Sequence, residues 1–226
     1  VMKACKELRG KICEVGAQML GTDVDKVAFD GSYVFVDEDE EEEKKVSLEQ
    51  VALKGTFFNN IELQVVKQHS SPLSPPPFMV GMAEVEVDTE TGEVDVLDYV
   101  AVVDCGTPIN PNLARVQTEG GIAQGIGMAL FEDVQYTDKG KIRNNSFMQY
   151  KIPSRLDVGK IRVEFKPSYE KSHPFGAKSI GEIVIDTPCP AIANAVYNAV
   201  GLRVEEMPIK PEKIAMALSD DCKMYE

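Results

Sequence analysis

Tryptophan is absent from the 226 residues, and histidine occurs only twice, at His69 and His173. Five cysteines (Cys5, Cys13, Cys105, Cys189, Cys222) stand at long, irregular intervals with no C-x-x-C pair. Neither a zinc site nor an iron–sulfur cluster has the spacing it needs, and an all-protein metal site would have a poor ligand set. No apolar run approaches the ~18–20 residues of a membrane-spanning helix. No basic segment followed by an apolar stretch reads as a signal peptide. Positive charge is scarce: 24 Lys and Arg against 37 Asp and Glu give a net charge of −13. That balance argues against a phosphate-backbone binder, since duplex and protein would repel. Reduced thiols in a cytoplasmic protein are the expectation.

What is there suffices for a core. The chain is 43% hydrophobic, and its length fits one large domain or two small ones. Ala4, Leu8, Ile12, Val15 and Met19 recur at helical spacing, and Gly21 supplies a stop. Opening inside a helix, the sequence reads as a fragment or a processed subunit. Val27–Phe29 and Tyr33–Val36 flank Asp30-Gly31, a hairpin signal. Residues 37–43 are seven consecutive acids, expected as a solvated loop. Ser47 and Gln50 have capping-box spacing for a short helix through Leu53, stopped at Gly55. Ser70–Pro77 reads as an extended, Pro-rich connector, dividing an N-terminal helix and hairpin segment (1–77) from a larger segment (78–226).

In the larger segment, strands at Val80–Val87 and Val94–Val103 surround a turn at Asp88–Gly92. Asn110 followed by Pro111 opens a helix to about Phe131. A hairpin tipped by Asp138-Lys139-Gly140 follows, then a strand through Ile161, Val163 and Phe165. Two helices close the pattern, one near Pro190 ending at Gly201 and one starting at Pro211. The mixture predicts an α+β fold, with mixed sheets and hairpins packed against helices rather than a regular βαβ array.

Two stretches could carry chemistry. Gly120-Gly121-Ile122-Ala123-Gln124-Gly125-Ile126-Gly127 holds four glycines in eight residues, each weakening a helix by ~1 kcal/mol relative to alanine. Either backbone must come close to a bulky ligand, with Gln124 offering an amide, or the helix packs tightly on a neighbour. A dinucleotide-binding reading fails, since Leu130 stands where the third glycine belongs and no strand precedes. In Pro174–Glu182, small residues bracket one carboxylate before apolar Ile183-Val184-Ile185. Partial desolvation there would raise the Glu182 pKa and make it a general base; the plain alternative is a surface glutamate at a turn. Cys105 is expected to be a packed small residue after a strand, His173 a loop residue, and Met128 and Phe131 core.

Six segments in order resemble one family, the molybdenum hydroxylases (the xanthine dehydrogenase and aldehyde oxidase group). They are Ala83–Val94, Asp104-Cys105-Gly106 with Ile109-Asn110-Pro111, Gln117–Gly127, Tyr150–Pro153, Gly176–Glu182 and Pro190–Ala195. The resemblance covers roughly 78–218, with a weaker match before it. It implies a molybdenum ion held by the dithiolene of a molybdopterin rather than by protein ligands, the pterin in some members a dinucleotide. Gln124 matches the glutamine that contacts this cofactor, with Ala123 and Gly125 close beside it. Glu182 matches the catalytic glutamate, which takes the proton from the hydroxyl that attacks an electron-poor carbon. Ala177, Lys178 and Ser179 match the loop that positions this base at the cofactor. The implied reaction is hydroxylation of a purine-like or other nitrogen heterocycle, or an aldehyde, by water, with xanthine dehydrogenase-like chemistry. Iron–sulfur clusters and FAD are expected on partner chains or modules.

Ile183-Val184 stand where the family often has Pro-Pro, and Cys189 where a small residue is usual. The family's upstream motifs have no counterpart. The resemblance therefore implies the C-terminal part of a molybdenum subunit, inactive alone, whose partners include the remaining half of that subunit. An acidic, non-catalytic assembly domain that retains the fold is the alternative.

Overall fold

The structure is a computed structural model that describes residues 1–37, 44–58, 61–71 and 73–219. It divides into two compact units, Val1–Ser70 and Ser71–Glu226. Most of the acidic run (38–43) and Cys222 lie outside the described residues.

In the first unit, helix α1 (Met2–Leu20) ends at Gly21, left-handed at φ 67°. Three short antiparallel strands follow: β1 (Val27–Phe29), β2 (Tyr33–Val36) and β3 (Lys45–Ser47), with β2 central. Val27 pairs with Val36 as the hairpin signal requires, and the Asp30 carboxylate accepts the Ser32 and Tyr33 amides at 2.7 and 2.8 Å. Helix α2 (Leu48–Phe58) opens with both bonds of a capping box: Ser47 N–H to Gln50 Oε1 at 2.9 Å, and Gln50 N–H to Ser47 Oγ at 3.2 Å. It does not stop at Gly55 as expected. The helix runs through this glycine, where a Cβ would sit 3.3 Å from the Ile61 carbonyl oxygen, so Gly55 serves packing. Ile12, Val15, Val34 and Val51 form this unit's core.

In the second unit, β4 (Phe78–Val87) and β5 (Val94–Asp104) make a long antiparallel pair. The Asp88 carboxylate holds the turn by accepting the Glu90 and Thr91 amides. Helix α3 (Pro111–Leu130) is capped by Asn110, whose side chain accepts the Leu113 amide at 3.1 Å. Strand β6 (Lys160–Phe165) then returns parallel to β5, giving a mixed sheet of order β4-β5-β6. The hairpin expected at 138–140 reduces to one bridge, Tyr136 with Ile142. A short helix α4 (Ile183–Asp186), absent from the sequence pattern, precedes α5 (Pro188–Val200) and α6 (Pro211–Leu218). One sheet face buries Tyr99, Ala101, Val103 and Val163 with Ile122 and Ile126 of α3, Ile192 and Val196 of α5, and Ile214 of α6. The fold is α+β with mixed and antiparallel sheets.

Candidate active site

The loop carrying Glu182 is bound to the end of β5. The Gly106 N–H donates to the Asp104 carboxylate at 2.9 Å, as do Ser168 Oγ at 2.8 Å and Lys178 Nζ at 2.8 Å. The Lys178 side chain is only 6% exposed, and its ammonium also lies 5.0 Å from the centre of the Phe78 ring. Burial alone would raise the Asp104 carboxyl, but Lys178, Gly106 and Ser168 together outweigh it and hold it below the usual carboxylate range. Backbone bonds stitch the same strip: Lys178 N–H to the Cys105 carbonyl at 2.7 Å and Thr107 N–H to the Gly176 carbonyl at 2.9 Å. A Cβ at Gly106 (φ 68°) would overlap the Gly176 carbonyl oxygen and approach Lys178 N at 2.8 Å. Asp104-Cys105-Gly106 is thus a clamp: an acid for the lysine, a small buried thiol, and a glycine where another strip of backbone crosses. Burial pushes the Cys105 thiol up, away from reactivity.

Phe175 turns this loop with φ 60°, ψ 9°, a left-handed residue that is not glycine, and its ring stands 65% exposed. Strained backbone of this kind persists only where its surroundings over-determine it; here Gly176 N–H to the His173 carbonyl and the clamp hold either side.

Helix α3 runs beside the segment after the loop. Gln117 Nε2 donates to the Gly181 carbonyl at 3.4 Å. A Cβ at Gly121 would overlap Val184, and one at Gly125 would lie 2.6 Å from Pro188 Cγ. Gly127 is closed by Glu132 and by Pro153 Cδ at 2.9 Å, while Tyr150 Oη donates to Glu132 at 2.5 Å. Three of the four glycines therefore admit neighbouring elements of this chain, which answers the sequence question largely in favour of helix packing. Gly120 is the exception: nothing lies within 4 Å of a Cβ built on it. Tyr99, fully buried, donates to Thr187 Oγ1 at 2.9 Å and ties the α4–α5 junction to the sheet.

Helix α3 relates Gln124 to the loop that carries Glu182. Seven residues are two turns, so Gln124 shares the face of Gln117, about 10 Å further along the axis, and Gln117 touches the residue preceding Glu182. Both Gln124 and Glu182 are exposed, as is Ser179; Ala123 and Ala177 are half-buried and Gly125 is buried. Two expectations need correction. Glu182 is not desolvated by the apolar run after it, because Val184 takes the buried position of α4. Met128, expected in the core, is 46% exposed, while Phe131 packs against it. Lys178 sits in the loop as expected, with its charge turned to Asp104; no sequence spacing signals that pair. Between the start of α3 and this loop lies an open crevice of about 330 Å³, lined by Pro108, Ile109, Leu113, Ala177 and Ile180 among others. A second depression of about 290 Å³, with Glu93, Asp95 and Asp157, lies at the opposite end of β5 and touches none of these groups.

Among the described residues no three His, Cys, Asp or Glu are grouped to hold a metal ion. The open amide, the open carboxylate and the bare backbone of Gly120 and Gly181 suit a group that brings its own metal ligands. The arrangement is a packed helix pair, α3 against α4 and α5, from which Gln124 and Glu182 are exposed.

The model of the molybdopterin cofactor-binding domain family matches residues 1–159, and the chain belongs to that family. The matched stretch crosses both units and stops before Glu182. The probable hypoxanthine oxidase XdhD of Escherichia coli is 36% identical over 219 residues, 95% of this chain and 22% of that protein. The aldehyde oxidoreductase molybdenum-binding subunit PaoC of the same organism is 39% identical over 139 residues, 61% of this chain and 19% of that subunit. Quinoline 2-oxidoreductase from Pseudomonas putida 86 superposes with a TM-score of 0.75 at 27% identity, over 95% of this chain and 28% of that one. The chain spans about a fifth of the length of the curated relatives it matches.

Proposed function

We propose that this chain supplies the proton-accepting carboxylate and one cofactor contact of a molybdenum-dependent hydroxylase acting on a purine-like or other nitrogen heterocycle, or on an aldehyde. When bound, the molybdopterin group supplies the two-electron acceptor and the site at which water is activated. Glu182, exposed at the surface, would accept through its carboxylate oxygen the proton released as water adds to the electron-poor carbon. The Gln124 amide donates and accepts hydrogen bonds toward the cofactor, with Ala123 and Gly125 presenting backbone. Ala177 and Ser179 border the carboxylate, and Lys178 is a positioning residue acting through Asp104. Iron–sulfur and FAD centres on partner chains or modules would supply the onward route for the electrons. The observation that supports this reading is that Gln124 and Glu182, 58 residues apart in sequence, are both exposed on segments that pack together, Gln117 of α3 meeting Gly181 and Gly121 meeting Val184.

The test is Glu182→Gln in the assembled enzyme. Turnover is expected to fall about 10²–10⁴-fold, the range for a lost general base, with molybdenum content and KM near those of the parent. Activity that survives the change would remove Glu182 from this role.

A further inference from the structure

Tyr150-Lys151-Ile152-Pro153 lies outside α3 and outside the loop of Glu182, yet two of its side chains close on the last turn of that helix. A Cβ at Gly127 would overlap Glu132 Oε1 and stand 2.9 Å from Pro153 Cδ, so this glycine is the gap into which both fit. The Gly127 carbonyl accepts two amides, Phe131 N–H at 2.9 Å and Glu132 N–H at 2.8 Å. The chain therefore leaves α3 in a tight turn that brings the Glu132 side chain back over Gly127. From 18 residues further on, the Tyr150 hydroxyl donates to Glu132 Oε2 at 2.5 Å, the length of a charge-assisted bond. Gln124 precedes Gly127 by three residues, about 4.5 Å along the helix axis. Its side chain is exposed, so the helix backbone sets where its amide starts from. Gly121 and Gly125 fix how near α3 stands to Val184 and Pro188, but such apolar contacts are non-directional. The bond from Tyr150 adds a direction.

We propose that Tyr150 is a positioning residue: through Glu132 it fixes the last turn of α3, and with it the register of Gln124 toward the cofactor. The inference rests on the reading of Gln124 as a cofactor contact. A phenylalanine at 150 would pack as the tyrosine ring does, so the hydroxyl contributes the bond to Glu132 and nothing else. Without it a half-buried carboxylate lacks its donor and swings toward water, out of the gap over Gly127. The two amide bonds of the turn then loosen, and Gln124, one turn earlier, loses its fixed starting point. The far side of the turn is tied independently, by Ile209 N–H to the Ala129 carbonyl at 2.7 Å and by Lys210 with Asp133 at 2.7 Å. Loss of the tyrosine hydroxyl thus frees one edge of the turn and leaves the fold in place.

The experiment uses the complete, cofactor-loaded molybdenum-binding subunit with its partner chains. Tyr150→Phe, Glu132→Gln, Glu132→Ala and Gln124→Ala are compared with the parent by hydrogen exchange, by the rate of molybdenum loss on dialysis, and by kcat and KM. In Tyr150→Phe the peptide holding Phe131 and Glu132 is expected to exchange about tenfold faster or more, the shift for a lost bond to a charged group. Molybdenum loss is expected to quicken, and kcat to fall about 10–100-fold, as for a group misplaced by about 1 Å, with KM and melting temperature near those of the parent. Glu132→Gln keeps an acceptor for the tyrosine and is expected to retain most of the parental behaviour. Glu132→Ala is expected to reproduce Tyr150→Phe, and the two together to be no worse than either alone. Additive effects overturn the proposal, as do parental molybdenum retention and kcat in Tyr150→Phe, whether or not its melting temperature falls. Gln124→Ala separates the two readings. If it speeds molybdenum loss and Tyr150→Phe does not, the positioning role alone fails. If it changes nothing, the cofactor contact fails first, and any effect of Tyr150→Phe then travels by a route other than the one proposed.

Discussion

Asp104 and Lys178 lie 74 residues apart in sequence and 2.8 Å apart in space, and that pair fixes the loop on which Glu182 stands. Its removal has a defined signature. Lys178→Met leaves a largely enclosed carboxylate without its counter-ion, which is expected to cost about 3 kcal/mol, the low end for breaking a buried pair; urea unfolding measures it. The pH dependence follows from the lowered Asp104 pKa. A carboxyl whose folded value is depressed contributes stability above its unfolded value, and loses it as pH falls through the lower folded one. Asp104→Asn is therefore expected to flatten the acid limb of stability against pH while lowering the plateau at neutral pH. An acid limb unchanged in this variant would show that other carboxylates set it. None of this was legible in the sequence. Lys178 there is one lysine among many, and Asp104-Cys105-Gly106 reads only as a strand end followed by a packed small residue. The role proposed for Glu182 rests on family context alone, because a bare Gly-Glu before an apolar run leaves unstated which residue the following helix buries.

Local elements were read where their signals are local. The Ser47–Gln50 box, the Asn110 cap, the Asp30-Gly31 turn and the Gly21 and Gly201 stops each depend on residues within a few positions, and each forms. Gly55 misled because a helix glycine can end a helix or admit a neighbour, and the Ile61 carbonyl that decides between them lies beyond the local window. The same ambiguity runs through α3, where the structure separates two kinds of glycine, and substitution should separate them too. Gly121→Val and Gly125→Val push side chains into Val184 and Pro188, which is expected to destabilise by about 1–3 kcal/mol, as overpacking does. Gly120→Ala meets only open space, so in the isolated chain it is expected to stabilise by up to about 1 kcal/mol. Thermal unfolding of the three variants checks both signs. A destabilising Gly120→Ala would mean that α3 already has a neighbour there.

At the scale of the whole molecule, the two units have separate cores, yet the family match runs across both and ends before the proposed base. Each unit can thus hold its own shape without the site being complete. In the proposed role this chain would offer a cofactor one amide, one carboxylate and the bare backbone of two glycines, all of them exposed. Affinity for a ligand of that size comes from enclosure, with most of its area buried among many contacts. A single open face supplies only a fraction of them. The chain expressed alone, in a host that makes molybdopterin, is therefore expected to purify with far less than one molybdenum per chain, and co-expression with the remainder of the molybdenum-binding subunit to restore stoichiometric metal. Elemental analysis of the two preparations decides it. Stoichiometric metal on the chain alone would mean that the surface between α3 and α4 encloses its ligand unaided, and the exposure of Gln124 and Glu182 would then need an explanation other than a missing wall.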